Sequence, residues 1–578
     1  MPDNSTMDGL SSPEAAYKID SGDTAWVMIC ACLVFLMSPA LGFFYAGLAR
    51  AKNALSLMYL TVLSVAVVSF QWYLIGYSLT FSETGTSFIG DSTHFLLRGV
   101  GMKPIPGQTI PASAFMIFQN MFAALTPALA FGSAAERMSF TVNFNFSFMK
   151  LNLLLTDFTD VITCWLWNSN GWLYKLGCID YAGGIPVHIS SGLAAVAYAM
   201  VLGKRRDYNE NVNTPHNVSF VFLGLALMWF GWFAFNAGSA LAANARSVNS
   251  LVCTHLSACT AAVVWVLLDY RQTRKWSIIG LCTGAVAGLA TITPGSGFVS
   301  PSSSLAFGAI GALICYVAIH YKHKMRIDDC LDVFGVHYVG GLVGLILTGI
   351  FAQQDIIALG YPEGTSYDII PKGGWLDGNW MLVPYQLAGI AAVSAWSFVV
   401  TYIILLVINM IPSLYLRLAD EDEIIGTDWA EMGERAYAYL PFDEEINSRS
   451  SNEDNSNVVI DARSQSSRNK SPRLSKLKKL LMVDRTTVIK GVPDLIEKPV
   501  LDYGQQKDLG AYPLNSFAKP TGGDLLQKAP TKVQEEHREH EPVEFNHHPM
   551  SYNDSNKTVH VENVASMPSG SSTGSSEK

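Results

Sequence analysis

The chain carries two matched stretches, DYAGGIPVHISSGL at residues 180–193 and DCLDVFGVHYVGGL at residues 329–342. In each stretch an Asp stands eight positions before a His, a Val directly precedes that His, and a Gly-Leu pair follows it by four and five positions. His188 and His337 both lead into apolar runs. Ionisable groups are costly in lipid and usually face a bundle interior or a pathway. Two histidines at matched places in an internal repeat therefore predict a symmetric site in the middle of a transporter or channel.

The composition places most of the chain in a membrane. Of its 578 residues, 49% are hydrophobic and only 15% are charged. The mean hydropathy is +0.24, which is unusual for a soluble protein. The long apolar runs and all nine cysteines lie within residues 24–412. From residue 441 onward the chain is polar and lacks Cys and Trp, so it cannot bury enough apolar surface to offset chain entropy.

Apolar runs of about twenty residues, the length that crosses a bilayer, predict an all-α polytopic membrane protein. Eleven such runs lie at 24–49, 54–81, 111–135, 138–166, 184–203, 217–240, 248–269, 276–296, 304–321, 331–353 and 382–412. Small residues recur within them at four-residue spacing, which favours close helix packing.

Loop charges predict the orientation. Cations concentrate in alternate loops, such as those at 204–206, 271–275 and 322–326. Because cytoplasmic loops carry the excess of Lys and Arg, the amino terminus is expected outside and the long tail inside the cell. Asn4, in the sequon Asn-Ser-Thr, would then lie outside as an acceptor for glycosylation.

One predicted span fits badly. Residues 138–160 contain Lys150 and several amides where lipid is expected. A central Lys costs about 2.5–3.5 kcal/mol on insertion scales. A functional interpretation exists, but no partner site is evident in the sequence, so a diverged or mistaken stretch is the preferred explanation.

The remaining polar candidates have simpler interpretations. The cysteines are scattered singly and indicate no metal site and no cofactor, although a disulfide between Cys164 and Cys178 stays open. His255 is expected in a helix–helix hydrogen bond, and His216, His320 and His323 in solvated inner loops. Asp180 is expected to cap a helix more than to bind an ion.

Several motifs together resemble the ammonium transporter (Amt/Mep/Rh) family, and in particular its fungal members. They are FYAGLARAKN (44–53), FQNMF (118–122), AAER (134–137), WNSNGW (167–172), DYAGG with VHI (180–189), GWFAFNAGS (231–239) and DVFGVH (332–337). The resemblance covers about residues 22–440, with the 138–160 segment departing from it.

The resemblance implies a homotrimer of eleven-helix protomers, in which the first ten helices form two inverted five-helix repeats. It also implies roles for individual residues. These are an outer ammonium site at Trp167 and Ser239, lined by Phe118 and supported by Asp180; a gate of Phe122 and Phe235; and twin pore histidines, His188 and His337. Because His188 is kept, the chain resembles the two-histidine branch linked to nitrogen sensing.

The implied chemistry is physically reasonable. NH4+ and K+ are similar in size, but an aromatic face attracts a cation by about 0.5–2 kcal/mol, and a hydroxyl can accept an N–H bond that K+ cannot offer. Two aromatic rings exclude a hydrated ion. Neutral imidazoles beyond them could pass a proton while ammonia moves separately.

The sequence therefore predicts ammonium transport across the plasma membrane, with ammonium or methylammonium as substrate and no nucleic-acid partner. The alternative is an ammonium receptor that signals nitrogen status. An enzyme is not expected, because the membrane histidines lack H-x-x-H pairing.

Four regions follow from these observations. They are an extracellular segment at 1–23, the membrane domain at 24–412, a cytoplasmic regulatory segment at 413–440 and a disordered tail at 441–578. Serines beside Arg in the tail are candidate sites for a kinase. These are Ser448, Ser450, Ser451, Ser464, Ser466 and Ser467.

Overall fold

The computed structural model describes residues 18–139, 159–206, 208, 215–322, 324, 327–411 and 414–437. The predictions for Asn4, for the serines between 448 and 467, for the disordered tail and for most of the polar segment at 138–160 lie outside these residues. Every regular element among the described residues is a helix. The all-helical prediction is confirmed for this part of the chain.

Nine described helices are long and apolar enough to cross a membrane. With a shorter apolar helix and the helical residues 159–167, they are numbered here in chain order. They are α1 (Ser21–Leu48), α2 (Ala51–Phe81), α3 (Ala112–Ala134), α4 (159–167), α5 (Gly184–Leu202), α6 (Val218–Ala240), α7 (Ala245–Thr273), α8 (Ile278–Ile292), α9 (Pro301–Lys322), α10 (Phe334–Phe351) and α11 (Leu382–Met410).

The helices begin where polar side chains can satisfy free backbone N–H groups. In α1, α6, α7 and α8 the side-chain oxygen of the residue before the helix accepts an N–H from the first turn. These capping residues are Asp20, Asn217, Asn244 and Ser277. Four spans thus begin close to their predicted positions because a capping residue directly precedes an apolar run.

The eighth span is shorter than predicted. A span was expected at 276–296, but α8 has only 15 residues, Ile278–Ile292, and is about 22 Å long at 1.5 Å per residue. Thr293 still has helical backbone angles, and Pro294 and Gly295 follow. The helix ends there because proline has no backbone N–H for a further helical hydrogen bond and glycine favours turns.

Two histidine-bearing helices begin in the same unusual way. The first turns of α5 and α10 are π-helical, at Gly184–Ile189 and Phe334–Tyr338, and each contains one of the predicted pore histidines. Single π turns are rare and occur often at functional sites.

The disulfide between Cys164 and Cys178 that the sequence left open does not form, and both are free thiols. Two predictions for histidines are wrong. His216 is half-buried and bonds the Ala49 carbonyl rather than solvent. His255 is exposed, and its nitrogens lie beside Cys259 of its own helix instead of bonding a neighbouring helix.

Candidate functional site

The two predicted pore histidines meet in the middle of the helix bundle. The Nδ1 atoms of His188 and His337 are 3.3 Å apart, and their ring centroids are 5.3 Å apart at an interplanar angle of 27°. Both residues are buried, at 1% and 5% exposure. One Nδ1 must therefore carry the proton and the other must accept it, which makes a shared hydrogen bond between neutral imidazoles.

Glycines allow the two segments to cross this closely. The Gly four positions after each His contacts the other segment: a Cβ on Gly192 would lie 2.6 Å from Tyr338, and one on Gly341 would lie 3.0 Å from His188 Cβ. The repeated glycine thus has a physical reason, because a side chain at either position would push the two segments apart.

Aromatic rings continue the column away from the histidines. Phe122 and Phe235 are stacked with centroids 4.1 Å apart at 24°, and Phe235 lies 6.3 Å from the ring of His188. Phe118 packs edge-on against Phe122 at 5.0 Å. All three phenylalanines are buried, so they form a dry constriction beside the imidazole pair.

The predicted outer residues lie beyond this constriction. Trp167 is 6.1 Å from Phe122, and its Nε1–H donates to the Asp180 carbonyl at 2.9 Å. The Ser239 hydroxyl donates to the Phe235 carbonyl at 2.8 Å. Because that hydroxyl donates its hydrogen to a carbonyl, the lone pairs of its oxygen can accept an N–H from a cation.

Asp180 performs the capping task. Its carboxylate accepts backbone N–H groups from Gly183, Gly184 and Ile185, at 2.9, 2.9 and 2.5 Å. The side chain is thus held by the first turn of α5, where a negative charge is favoured.

A cavity of about 90 Å³ lies on the other side of the histidine pair. It is large enough for water, and most of its wall is apolar. We call it the vestibule. Its lining includes His188, His337, Tyr45, Trp232 and Asp332.

Trp232 is a functional candidate that sequence reasoning missed. Its ring stacks on His188 with centroids 5.4 Å apart at 26°, and its Nε1–H donates to Thr293 Oγ1 at 2.9 Å. It therefore fixes the orientation of the imidazole. It lies in the GWFAFNAGS motif, but the sequence does not distinguish it from the other tryptophans, 13 in all, as the one that orients His188.

Residues 414–437 pack on the loops at the vestibule end of the bundle, which we call the tail face. The Asp428 carboxylate accepts the backbone N–H groups of Leu55 and Ser56, at 3.0 and 2.8 Å, in the first α-helical turn of α2. Further contacts join this segment to the tail face. Four of them are Lys52 with the Ile424 carbonyl, Arg417 with the Leu202 carbonyl, Glu423 with the Arg206 N–H, and Tyr437 with His216.

A buried ion network lies under the same face. Glu136 pairs with Arg50 and Arg205, each at 2.8 Å, and Arg205 also pairs with Asp328 at 2.9 Å. Burial alone would raise the pKa of Glu136, but the Arg205 and Arg50 guanidiniums outweigh it and lower that pKa to about 2. The network therefore stays ionised at neutral pH and ties together four connections between helices, at Arg50, Glu136, Arg205 and Asp328.

Comparison with known proteins finds consistent similarity. The model of the Ammonium Transporter Family matches residues 25–437. Ammonium transporter 1 of Schizosaccharomyces pombe is 48% identical over 75% of this chain and 88% of its own length. Ammonium transporter MEP2 of Saccharomyces cerevisiae is 41% identical over 75% and 87%.

Solved structures give the same result. The crystal structure of Saccharomyces cerevisiae Mep2 matches with a TM-score of 0.67 and 40% identity, over 74% of this chain and 95% of that one. Candida albicans Mep2 matches with a TM-score of 0.66 and 40% identity, over 74% and 93%.

Proposed function

Since this chain belongs to the Ammonium Transporter Family, it is a multi-pass membrane protein that transports ammonium, and we propose that the column of aromatic and imidazole rings is its conduction path. The path runs from Trp167 and Ser239 past Phe122 and Phe235 to the twin histidines and the vestibule. The function is transport and not catalysis.

Recruitment uses the aromatic faces and the free lone pairs of Ser239. A cation beside Trp167 would gain about 0.5–2 kcal/mol from the ring quadrupole, depending on its hydration. Ammonium also donates N–H bonds, whereas K+ has none to give. The arrangement therefore favours ammonium over K+ of similar size.

The paired imidazoles carry the step that follows. The observation that supports this is the 3.3 Å separation of the two Nδ1 atoms in a buried, apolar setting. His188 Nε2 is buried and has no hydrogen-bond partner in the part of the chain that the structure describes. The His188 ring lies beside that of Phe235, so its Nε2 is available to an ammonia molecule that crosses the gate, while the shared Nδ1 bond relays the proton.

The finer architecture is part of the proposal. The two matched segments, with histidines on equivalent π turns, support eleven spans in which ten form an inverted repeat. Cation-rich loops that include Lys52 and residues 204–206 lie at the tail face, so we place that face in the cytoplasm of a plasma-membrane protein. A homotrimer is proposed because the family resemblance implies one.

Regulation by the tail is also a proposal. The docked residues 414–437 join loops that border the vestibule, so a kinase acting on the serines between 448 and 467 could alter transport through them. The docking equally gives an ammonium receptor a route to cytoplasmic partners. A variant that signals without carrying methylammonium would favour the receptor.

The test uses His188→Ala and His337→Ala in cells that lack their own ammonium transporters. Each variant should reach the membrane but lose methylammonium uptake or admit K+. His255→Ala is the matched control, because His255 is an exposed membrane histidine on α7 and should behave like the parent. If both pore variants transport normally and still exclude K+, the relay proposal is wrong.

A further inference from the structure

Asp332 occupies a backbone position at which the first matched segment has glycine. Asp332 and Gly183 each stand three residues after the Asp that begins the segment. Each of their carbonyls accepts the N–H of a Val four residues later, Val336 at 3.0 Å and Val187 at 3.1 Å. Both have left-handed backbone angles, with φ of 59° and 113°. The two positions are therefore structurally equivalent.

The second segment keeps a side chain where glycine would be easier. Residues with a Cβ rarely take positive φ, and Asp tolerates it better than most but still at a cost. Residues with such strained backbone angles occur mainly at functional sites. The Asp332 side chain lines the vestibule, together with His337 and Tyr45.

Lys322 holds this carboxylate. At the last residue of α9, its Nζ donates to the Asp329 carbonyl at 2.6 Å and to the Asp332 carboxylate. The Lys322 side chain is 9% exposed and that of Asp332, a residue of the vestibule lining, is 34% exposed. At the opposite end of the column, the Asp180 carboxylate is held by backbone N–H groups and has no lysine on it among the described residues.

We propose that Lys322 is a resident counter-cation at the vestibule exit. Its ion pair with Asp332 opens when a departing ammonium ion binds the carboxylate, and forms again when the ion leaves. A lysine head group and NH4+ carry the same charge and offer the same kind of N–H donors. Both would use the Asp332 carboxylate and the Asp329 carbonyl, so the carboxylate stays paired with a cation throughout the exchange. The resident cation keeps the exit from retaining its substrate. This inference rests on the proposed function, because it needs ammonium to leave through the vestibule.

The two partners should have opposite effects when they are removed. In Lys322→Met no cation competes for Asp332. The half-saturating methylammonium concentration at the tail face should therefore fall by about tenfold, the effect of one charged hydrogen bond, and the maximal rate should fall with it. In Asp332→Gly the exit carboxylate is lost, and the same concentration should rise by about tenfold. Uptake from the opposite face should keep its concentration dependence.

The measurement uses the full-length protein in a yeast strain that lacks its own ammonium transporters. Whole cells report uptake from outside, and inside-out membrane vesicles report transport from the tail face. Lys324→Met is the matched control, because Lys324 Nζ lies over the exposed ring of Tyr321 at 4.6 Å and is not among the residues that line the vestibule. It should keep the parental values.

Shifts in the same direction for Lys322→Met and Asp332→Gly, or shifts no larger than that of Lys324→Met, would overturn the inference. If Lys322→Met does not reach the membrane, Asp332→Gly decides alone. Glycine suits the backbone there, so the variant should fold, and an unchanged tail-face concentration dependence refutes the exit site. A parent chain that carries no methylammonium would refute the proposed function, and the inference would fall with it.

Discussion

Removing the Asp428 carboxylate should loosen the docked segment at residues 414–437. This side chain accepts two backbone N–H groups, from Leu55 and Ser56, in the first α-helical turn of α2. Alanine at this position would leave the two N–H groups, which lie in the interface with the segment, without the carboxylate acceptor. Loss of a capping side chain costs about 0.5–2 kcal/mol, and an unsatisfied buried donor about 1–3 kcal/mol. We therefore expect a loss of about 2 kcal/mol, or about thirtyfold in the docking equilibrium.

Two measurements check this expectation for Asp428→Ala. Amide hydrogen exchange in peptides that cover residues 51–60 should accelerate by about thirtyfold where exchange follows undocking. Methylammonium uptake should fall while the amount of protein at the membrane stays unchanged. Asp428→Asn retains one acceptor oxygen and should lie between the parent and the alanine variant.

Glu421→Ala is the matched control. Glu421 lies in the short helix Asp420–Ile425 of the same segment, but its side chain is exposed. It should match the parent in both exchange and uptake. If Asp428→Ala behaves like Glu421→Ala in both measurements, the carboxylate does not hold the segment in place.

Three further predictions follow from the site and the tail face. Because the pKa of Glu136 is lowered from 4.5 to about 2, its ion pairs should stabilise the fold by about 3 kcal/mol above pH 4.5, and that stability should disappear as the pH falls through 2. Glu136→Gln should therefore lower Tm at pH 7, and a Tm difference from the parent that persists at pH 2 would contradict this. Trp167→Leu should weaken uptake affinity by about 0.5–1 kcal/mol, a few-fold in the half-saturating concentration, and an unchanged concentration dependence would reduce Trp167 to a packing residue. Deleting residues 470–578 should leave transport largely intact, whereas deleting 416–578 removes the docked segment and should strongly reduce transport. Equal uptake by both truncations would make the tail a passive extension.

The sequence by itself determined the membrane character, the approximate limits of nine long described helices and the choice of two histidines as a candidate site. Each of these depends on neighbours within one segment. Hydrophobic length decides whether a helix spans lipid, and a capping residue before an apolar run decides where it begins. The family motifs then named the aromatic residues that the structure brings together around His188.

Local pattern could not settle what individual polar side chains do. Asp180 was a candidate for the cation site and a candidate cap, and the structure shows three backbone N–H groups on its carboxylate. Cys164 and Cys178 stayed open as a disulfide, and both are free. His216 was expected in solvent and instead bonds the Ala49 carbonyl. In each case the deciding contact depends on how the backbone and side chains are arranged in three dimensions.

Only the tertiary structure decided which polar and aromatic side chains meet. The shared bond between His188 and His337 joins residues 149 positions apart, and the bonds of Asp428 to α2 span more than 370. Sequence periodicity reports which face of a helix is apolar, but not which ring nitrogen faces which. That geometry comes from the close crossing of two segments that glycine permits, and a crossing is a property of the packed bundle and not of either segment alone.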